Sequence, residues 1–290
     1  MPSTDAWVRQ VRQAHTEEMA RLPRPALARV RDLTVAGLPA RLYLPDAAAV
    51  LPVLVYFHGG GWVMGDVESY DPVARTLSRA CGAAVLSVDY RRPPEHPFPA
   101  AIDDAEAAVR WTAANAAALG LDASRMGVAG DSAGGQIAAA IALRLASSAE
   151  GPRLAAQLLV YPALDLRAAP GTTQGPSAAS EAARRLLNRL FDLYMGPADR
   201  TLAEASPLLA SGLEGLPATV VVTAEHDPLR QQGEEFARRT LAAGASTSLV
   251  FGRGLAHGFL GREPFDDPDP SITGRFGRLV HGALRAPSVP

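Results

Sequence analysis

The sequence predicts an α/β fold, a mostly parallel central sheet flanked by helices on both faces and carrying a helical cap. Three observations support this. Short apolar, β-branched runs alternate with longer helical segments, the order that parallel β-α-β units produce. The strand runs are apolar almost without interruption, as strands covered on both faces are. One of them leads directly into a Gly-x-Ser-x-Gly turn and then an Ala-rich helix. A length of 290 residues suits one large domain. The expectation is a single domain over 1–290, with the cap formed by about 1–28 and about 166–205.

The elements follow in order. Residues 7–21 are polar with spaced apolar positions (Trp7, Val8, Val11, Met19, then Leu22), the pattern of an amphipathic helix. Pro23 and Pro25 end it. Residues 31–35 and 40–44 flank the turn at 37–39 and read as a hairpin. Further strands are expected at 53–57, 84–89, 126–129, 157–161, 219–223 and 247–251. Helices are expected at 72–81, 100–119, 133–147, 231–243 and 271–284. The alternation breaks between Tyr161 and the strand at 219. A loose Ala/Gly/Pro/Thr/Ser patch at 168–180 is followed there by a helical segment at 181–194. An excursion that long in a compact domain is usually functional, and it reads as a lid over a site with the N-terminal helix as its other half.

Composition excludes several classes of function. All 28 basic residues are arginine, and they face 30 acidic ones for a net charge of −2. A nucleic-acid or anionic-membrane binder would show a basic excess. Without lysine, Schiff-base chemistry, a lysine general base and a phosphate-binding P-loop are all ruled out. The single Cys81 excludes an internal disulfide framework and a cysteine-based zinc cluster, and nothing calls for a metal or organic cofactor. Alanine supplies about one residue in five, a bias of the kind GC-rich codons produce. That makes helix propensity a weak guide here. Residues 1–25 lack the apolar core of about 7–15 residues that marks a secretory signal. No apolar run approaches the roughly 18 residues of a membrane span, so the expected location is the cytoplasm.

The chemistry concentrates in two glycine motifs. Gly130-Asp131-Ser132-Ala133-Gly134 sits between the strand at 126–129 and the following helix. A serine there occupies a sharp turn that small neighbours permit, which lifts its hydroxyl above the sheet. The Ala133 N–H then lies at a helix N-terminus, where positive potential favours a developing oxyanion. His58-Gly59-Gly60-Gly61-Trp62 follows the strand at 53–57. Its glycines let backbone N–H groups face a site without a Cβ in the way. Neither glycine cluster fits the spacing of a dinucleotide-binding loop. The simpler alternatives are a turn that only caps a helix and a flexible glycine turn.

A nucleophilic serine needs a base, and the base needs an orienting acid. Of the six histidines, His257 lies on a glycine-flanked loop after the last strand, at the edge where an α/β sheet places its site. The acid belongs between Ser132 and the histidine in chain order. Asp227 follows the strand at 219–223, with Glu225 and Asp165 as rivals.

The motifs HGGGW, GDSAGG, HDPL and HGF, in this order, resemble the bacterial hormone-sensitive-lipase-like esterases of the α/β-hydrolase superfamily. The run from Asp89 to Ala101 and the stretch Ser206-Pro207-Leu208-Leu209 are similar to family stretches, and the resemblance spans roughly 30–260. It implies Ser132 as nucleophile, Asp227 as acid and His257 as base, with oxyanion donors from the backbone of Gly60, Gly61 and Ala133. Trp62, Asp131, Tyr161, Leu229 and Phe259 are expected around a substrate pocket, with His58 holding the glycine loop in shape. There are departures. Arg92-Pro93 replaces the usual Leu-Ala, Gln231-Gln232 stand where an acidic pair is common, and the stretch 251–256 before the base differs from the family type.

Taken together, these features lead us to expect a serine carboxylesterase acting on short-chain acyl esters, with a small-molecule ester as partner and a homodimer as the form the resemblance implies. An acyltransferase, lactonase or amidase would use the same residues, and a non-catalytic ligand-binding protein on this fold is the rival from another class.

Overall fold

The computed structural model describes residues 3–46, 49–167, 181–262 and 271–285. The patch at 168–180 and the acidic run at 266–269 lie outside the described residues. The strands are β1 (Arg29–Val35), β2 (Leu38–Leu44), β3 (Leu51–Phe57), β4 (Ala84–Val88), β5 (Leu121–Asp131), β6 (Ala156–Val160), β7 (Ala218–His226) and β8 (Thr247–Ala256). The helices are α1 (Thr4–Met19), α2 (Asp71–Cys81), α3 (Ala100–Asn115), α4 (Ala133–Ala146), α5 (Glu181–Met195), α6 (Arg230–Ala242) and α7 (Ile272–Ala283).

All eight strands form one sheet in the order β1-β2-β4-β3-β5-β6-β7-β8. Strand β2 runs antiparallel to both its neighbours, and the pairs from β4 through β8 are parallel. Strand β3 shows why the central strands read as continuous apolar runs. Val53, Val55 and Phe57 enter the core on one face, with residues of α3, α4 and α6. Leu54 and Tyr56 enter the core on the other, with α2 and α7. Both faces are covered, so neither can be polar.

The ends of elements follow local chemistry. Helix α1 starts at Ser3, whose side chain accepts from the Ala6 N–H, and α7 starts at Ser271 in the same way through Gly274. Helix α2 stops at Gly82 in a left-handed cap. Two strands run beyond their apolar cores. Strand β7 continues through Glu225 to His226, and β8 continues through 252–256, with the β7–β8 register shifting between Ala224 and His226. Such an irregularity re-aims the residues beyond it, and here it sits just before the two loops that carry Asp227 and His257.

Helices α1 and α5 pack on each other beside the carboxyl ends of the parallel strands. Val8 of α1 and Leu190 of α5 are buried together with Val63, and the Arg189 guanidinium lies 3.8 Å from the Trp7 ring centroid.

The contact between α2 and α7 gives a test of the packing. A Cβ added at Gly277 would lie 2.3 Å from the Ala80 carbonyl oxygen. Gly277→Ala is expected to cost about 1–3 kcal/mol by overpacking, lowering Tm by roughly 2–4 °C per kcal/mol in thermal unfolding. Gly282→Ala in the same helix meets nothing within 4 Å and is expected to leave Tm unchanged or raise it.

Candidate active site

Ser132 stands between the end of β5 and the first turn of α4, with φ 53° and ψ −114°. That is left-handed backbone for a residue with a Cβ, a conformation that persists only when its surroundings over-determine it. They do so here. The Ser132 N–H donates to Val160 O at 2.9 Å, and its carbonyl accepts from Gln136 N at 3.2 Å and Ala163 N at 3.1 Å. The turn needs glycine at 134 because a Cβ there would lie 1.9 Å from Phe57 O. Without that Cβ, α4 closes directly onto the end of β3.

The loops after β7 and β8 bring a carboxylate and an imidazole to this hydroxyl. His257 Nε2 lies 2.9 Å from Ser132 Oγ, and its Nδ1 lies 2.9 Å from Asp227 Oδ2. Asp227 is fully buried, and its other oxygen accepts from Leu229 N at 2.8 Å. With the carboxylate as acceptor, Nδ1 carries the proton and Nε2 faces the serine as an acceptor. The His257 side chain is 33% exposed. Desolvation pulls its pKa down, but the charge and hydrogen bond of Asp227, helped by Asp131, outweigh this and hold it above the ordinary value of 6.5.

The glycine loop after β3 faces the same hydroxyl. Gly60, Gly61 and Trp62 have φ of 96°, 59° and 61°, and among the described residues none accepts a hydrogen bond from the N–H of Gly60, Gly61 or Ala133. Glycine suits position 61 because of its positive φ, and it leaves room for the Leu190 side chain of α5, whose Cδ1 would be 2.6 Å from a Cβ. Trp62 is held in its unusual backbone by its side chain. Nε1 donates to Gln136 Oε1 at 2.9 Å, and the indole stacks on Tyr194 at 4.5 Å. Gln136 is itself buried on α4, accepts from the Tyr194 hydroxyl and donates to the Glu204 carbonyl. No sequence motif signalled Gln136, yet it links the glycine loop to the helix that starts at Ala133.

The hydroxyl opens into a cavity of about 260 Å³. One wall is largely apolar, with Trp62, Met64, Leu186, Leu187, Leu190, Phe191 and Leu229. The other carries His15, Glu18, Met19 and Arg262. Glu18 and Arg262 pair at 2.6 Å, joining α1 to the segment beyond His257. Among the expected pocket residues Trp62, Asp131, Tyr161 and Leu229 line the cavity. Phe259 does not. It is buried against Tyr161, the two rings meeting edge-on at 5.1 Å. The residues that sequence reasoning missed are mainly on α1 and α5, whose amphipathic patterns were visible but not the direction each face takes.

Two buried groups support the glycine loop. Asp131 accepts from Tyr56 OH and from Gly59 N at 2.9 Å. Burial pushes its carboxyl up to about 6 despite these bonds. His58 is sandwiched between Tyr70 and Tyr90 at 5.0 and 4.4 Å, and its Nδ1 donates to Gly59 O at 2.9 Å. Burial, helped by Arg92, lowers its pKa to about 3, so it is a neutral brace, as its place in the motif suggests.

The rivals are occupied elsewhere. Glu225 accepts from Gly254 N at 2.7 Å, bracing the irregular part of β8. Asp165 pairs with Arg167. His281 contacts the Cys81 carbonyl from α7. The Gln232 departure has a local reason. Its Oε1 accepts from Leu164 N and Asp165 N while Nε2 donates to Asp165 O, a set that an ionised carboxylate could not complete.

Asp131 gives a pH test. Its folded pKa lies above the ordinary 3.8, so the folded state holds its proton longer, and stability is lost as pH rises from about 4 to about 6. Asp131→Asn removes this titration. Chemical denaturation at both pH values is expected to show the wild type losing about 1–3 kcal/mol relative to the variant across that window. Parallel curves would contradict the assignment.

Comparison with known proteins agrees with this geometry. The family profile of the alpha/beta hydrolase fold matches residues 54–261. Carboxylesterase NlhH of Mycobacterium tuberculosis is 44% identical over 279 residues, covering 89% of this chain and 84% of the relative. An ethyl acetate hydrolase of Pseudomonas putida is 38% identical, covering 77% of this chain and 71% of the relative. The crystal structure of EstE1, a thermostable carboxylesterase cloned from a metagenomic library, superposes with a TM-score of 0.86 at 37% identity, covering 98% of this chain and 99% of that one. The chain belongs to the α/β-hydrolase fold family, in its hormone-sensitive-lipase-like branch.

Proposed function

We propose that this chain is a serine carboxylesterase acting on short-chain acyl esters. The observation that carries the reading is the continuous relay Ser132 Oγ, His257 Nε2, His257 Nδ1 and Asp227 Oδ2, with 2.9 Å at both hydrogen bonds, at a cavity. As Ser132 Oγ attacks the ester carbonyl, its proton passes to His257 Nε2. Asp227 fixes the tautomer and stabilises the imidazolium. The carbonyl oxygen becomes an oxyanion facing the N–H groups of Gly60, Gly61 and Ala133, each worth roughly 3–4 kcal/mol in a comparable site. The intermediate collapses as the C–O bond to the alcohol breaks and His257 returns the proton to the leaving oxygen. Water, deprotonated by His257, then attacks the acyl-enzyme and releases the acid and Ser132.

The short-chain preference rests on cavity size. About 260 Å³ lies below the roughly 300–1,000 Å³ of pockets for drug-sized ligands. The name of the ethyl acetate hydrolase relative points the same way. Helices α1 and α5 act as the cap, with His15, Glu18 and Met19 of the first and the leucines and Phe191 of the second closing the space over Ser132. The same reading carries the homodimer and the cytoplasmic location expected from the sequence, although the chemistry requires neither. No described helix is long and apolar enough to cross a membrane.

Ser132→Ala is expected to lower p-nitrophenyl acetate hydrolysis by about three orders of magnitude or more and to abolish fluorophosphonate labelling. Retained hydrolysis would remove Ser132 from the mechanism. Because the base must be neutral, kcat/KM is expected to rise with pH through an inflection above 6.5, the direction set by Asp227. Asp227→Asn is expected to lower kcat by about four orders of magnitude and to move that inflection downward. Across p-nitrophenyl esters from acetate to laurate, kcat/KM is expected to peak at the short end, and a maximum at laurate would contradict the cavity argument. Partition to an added alcohol or amine, read by product analysis, tests the transferase and amidase alternatives.

A further inference from the structure

Arg12 joins the N-terminal helix to the glycine loop. Its Nε donates to Val63 O at 2.8 Å. Its Nη1 and Nη2 grip the two oxygens of Glu95 at 2.8 and 2.7 Å, and Nη2 also donates to Pro93 O at 2.9 Å. One guanidinium thus ties α1 to the loop after β3 and to the loop after β4. Val63 directly follows Trp62 in sequence, and its side chain is buried against Val8 and Leu190, so this residue is held at its carbonyl by one α1 residue and at its side chain by another.

The position of that grip matters because of what precedes it. Gly60, Gly61 and Trp62 all take positive φ. The two glycines adopt this region freely, but Trp62 keeps it only while neighbours impose it. Gln136 restrains the Trp62 ring from inside. At the far end of the run the restraint is Arg12. It is not among the residues lining the cavity, whereas His15, Glu18 and Met19 of the same helix are. Arg12 stands three and seven residues before His15 and Met19, on the same stripe of α1, so the face that lines the cavity continues through Arg12 onto the glycine loop.

We propose that Arg12 is a positioning residue for catalysis. Through the Val63 carbonyl it holds the Gly60 and Gly61 N–H groups where the oxyanion forms, which makes α1 part of the oxyanion machinery as well as a wall of the cavity. The inference rests on the reading of those N–H groups as oxyanion donors. It uses what distinguishes Arg from Lys, a planar fork able to bind a carboxylate and two carbonyls together.

A misaligned donor acts on the transition state and hardly on ground-state binding, so the signature is a kcat loss at constant KM. Acetate is the informative acyl group because it is the smallest and reaches least toward the α1 wall. With p-nitrophenyl acetate, Arg12→Ala is expected to lower kcat about tenfold or more, since displacements on the order of 1 Å in a catalytic array cost about a hundredfold, while KM changes less than about twofold. Arg12→Lys keeps the charge but not the fork and is expected to recover only part of the loss. Gln13→Ala, beside it on an exposed part of α1, is expected to behave as wild type. Wild-type kcat in Arg12→Ala overturns the inference, as does a raised KM at unchanged kcat, which would make α1 a substrate wall alone. If Arg12→Ala does not fold, Arg12→Lys is read the same way, and wild-type kcat in it overturns the inference. Ser132→Ala, measured alongside, separates the two levels: its inactivity with unaffected Arg12 variants leaves the proposed function standing without this inference.

Discussion

The arrangement depends on a single strained turn. Ser132 holds φ 53° and ψ −114° between β5 and α4, a conformation that costs on the order of 1–3 kcal/mol for a residue with a side chain. Everything nearby is built to keep it there. Glycine at 134 lets α4 begin in contact with the end of β3, and three backbone hydrogen bonds tie the turn to β6, to α4 and to the segment after β6. The return on that strain is positional. It sets the hydroxyl above the sheet and the Ala133 N–H at a helix N-terminus, where its partial positive charge faces the same space. A relaxed backbone at 132 would separate the Ser132 hydroxyl from both the His257 imidazole and the glycine-loop amides.

The two other halves of the site reach that turn through different physics. Asp227 and His257 arrive through the sheet, on adjacent parallel strands whose irregular pairing redirects their ends. Complete burial of Asp227 makes its interaction with the imidazole stronger than the same distance would give at the surface. The glycine loop arrives through side chains packed around it. Trp62, Gln136 and Tyr194 brace it on one side, His58 and Asp131 on another, and Leu190 of α5 and Arg12 of α1 on a third. Burial moves both groups away from their ordinary pKa values, His58 down to about 3, which keeps it neutral, and Asp131 up to about 6.

Much of the fold was legible because parallel strands advertise themselves. Every strand expected from apolar runs overlaps an observed strand, and every expected helix overlaps an observed helix. What periodicity could not show were extensions set by tertiary contacts, such as β8 beyond Phe251, where Gly252 pairs with Ala224, Ala256 with His226, and the Gly254 N–H is held by the Glu225 carboxylate. In the site, the residues legible in sequence are those whose chemistry demands a rare type at a fixed spacing: Ser132 between glycines, Gly60 and Gly61 after a strand, and His257 and Asp227 at strand ends. Gln136, Arg12, Leu190 and Arg262 were not legible. Each acts through the direction of a side chain across a gap that only folding closes. Phe259, expected around the pocket, is buried against Tyr161 and is not among the residues that line the cavity.

The account turns on one claim, that Ser132 is the nucleophile and the amides of Gly60, Gly61 and Ala133 receive the oxyanion. The most direct measurement is a crystal structure of the protein after reaction with a small alkyl phosphonate ester. The account predicts phosphorus bonded to Ser132 Oγ, with the phosphoryl oxygen about 2.7–3.1 Å from those backbone nitrogens and His257 still paired with Asp227. An unmodified Ser132, or a phosphoryl oxygen turned away from the glycine loop, would contradict it.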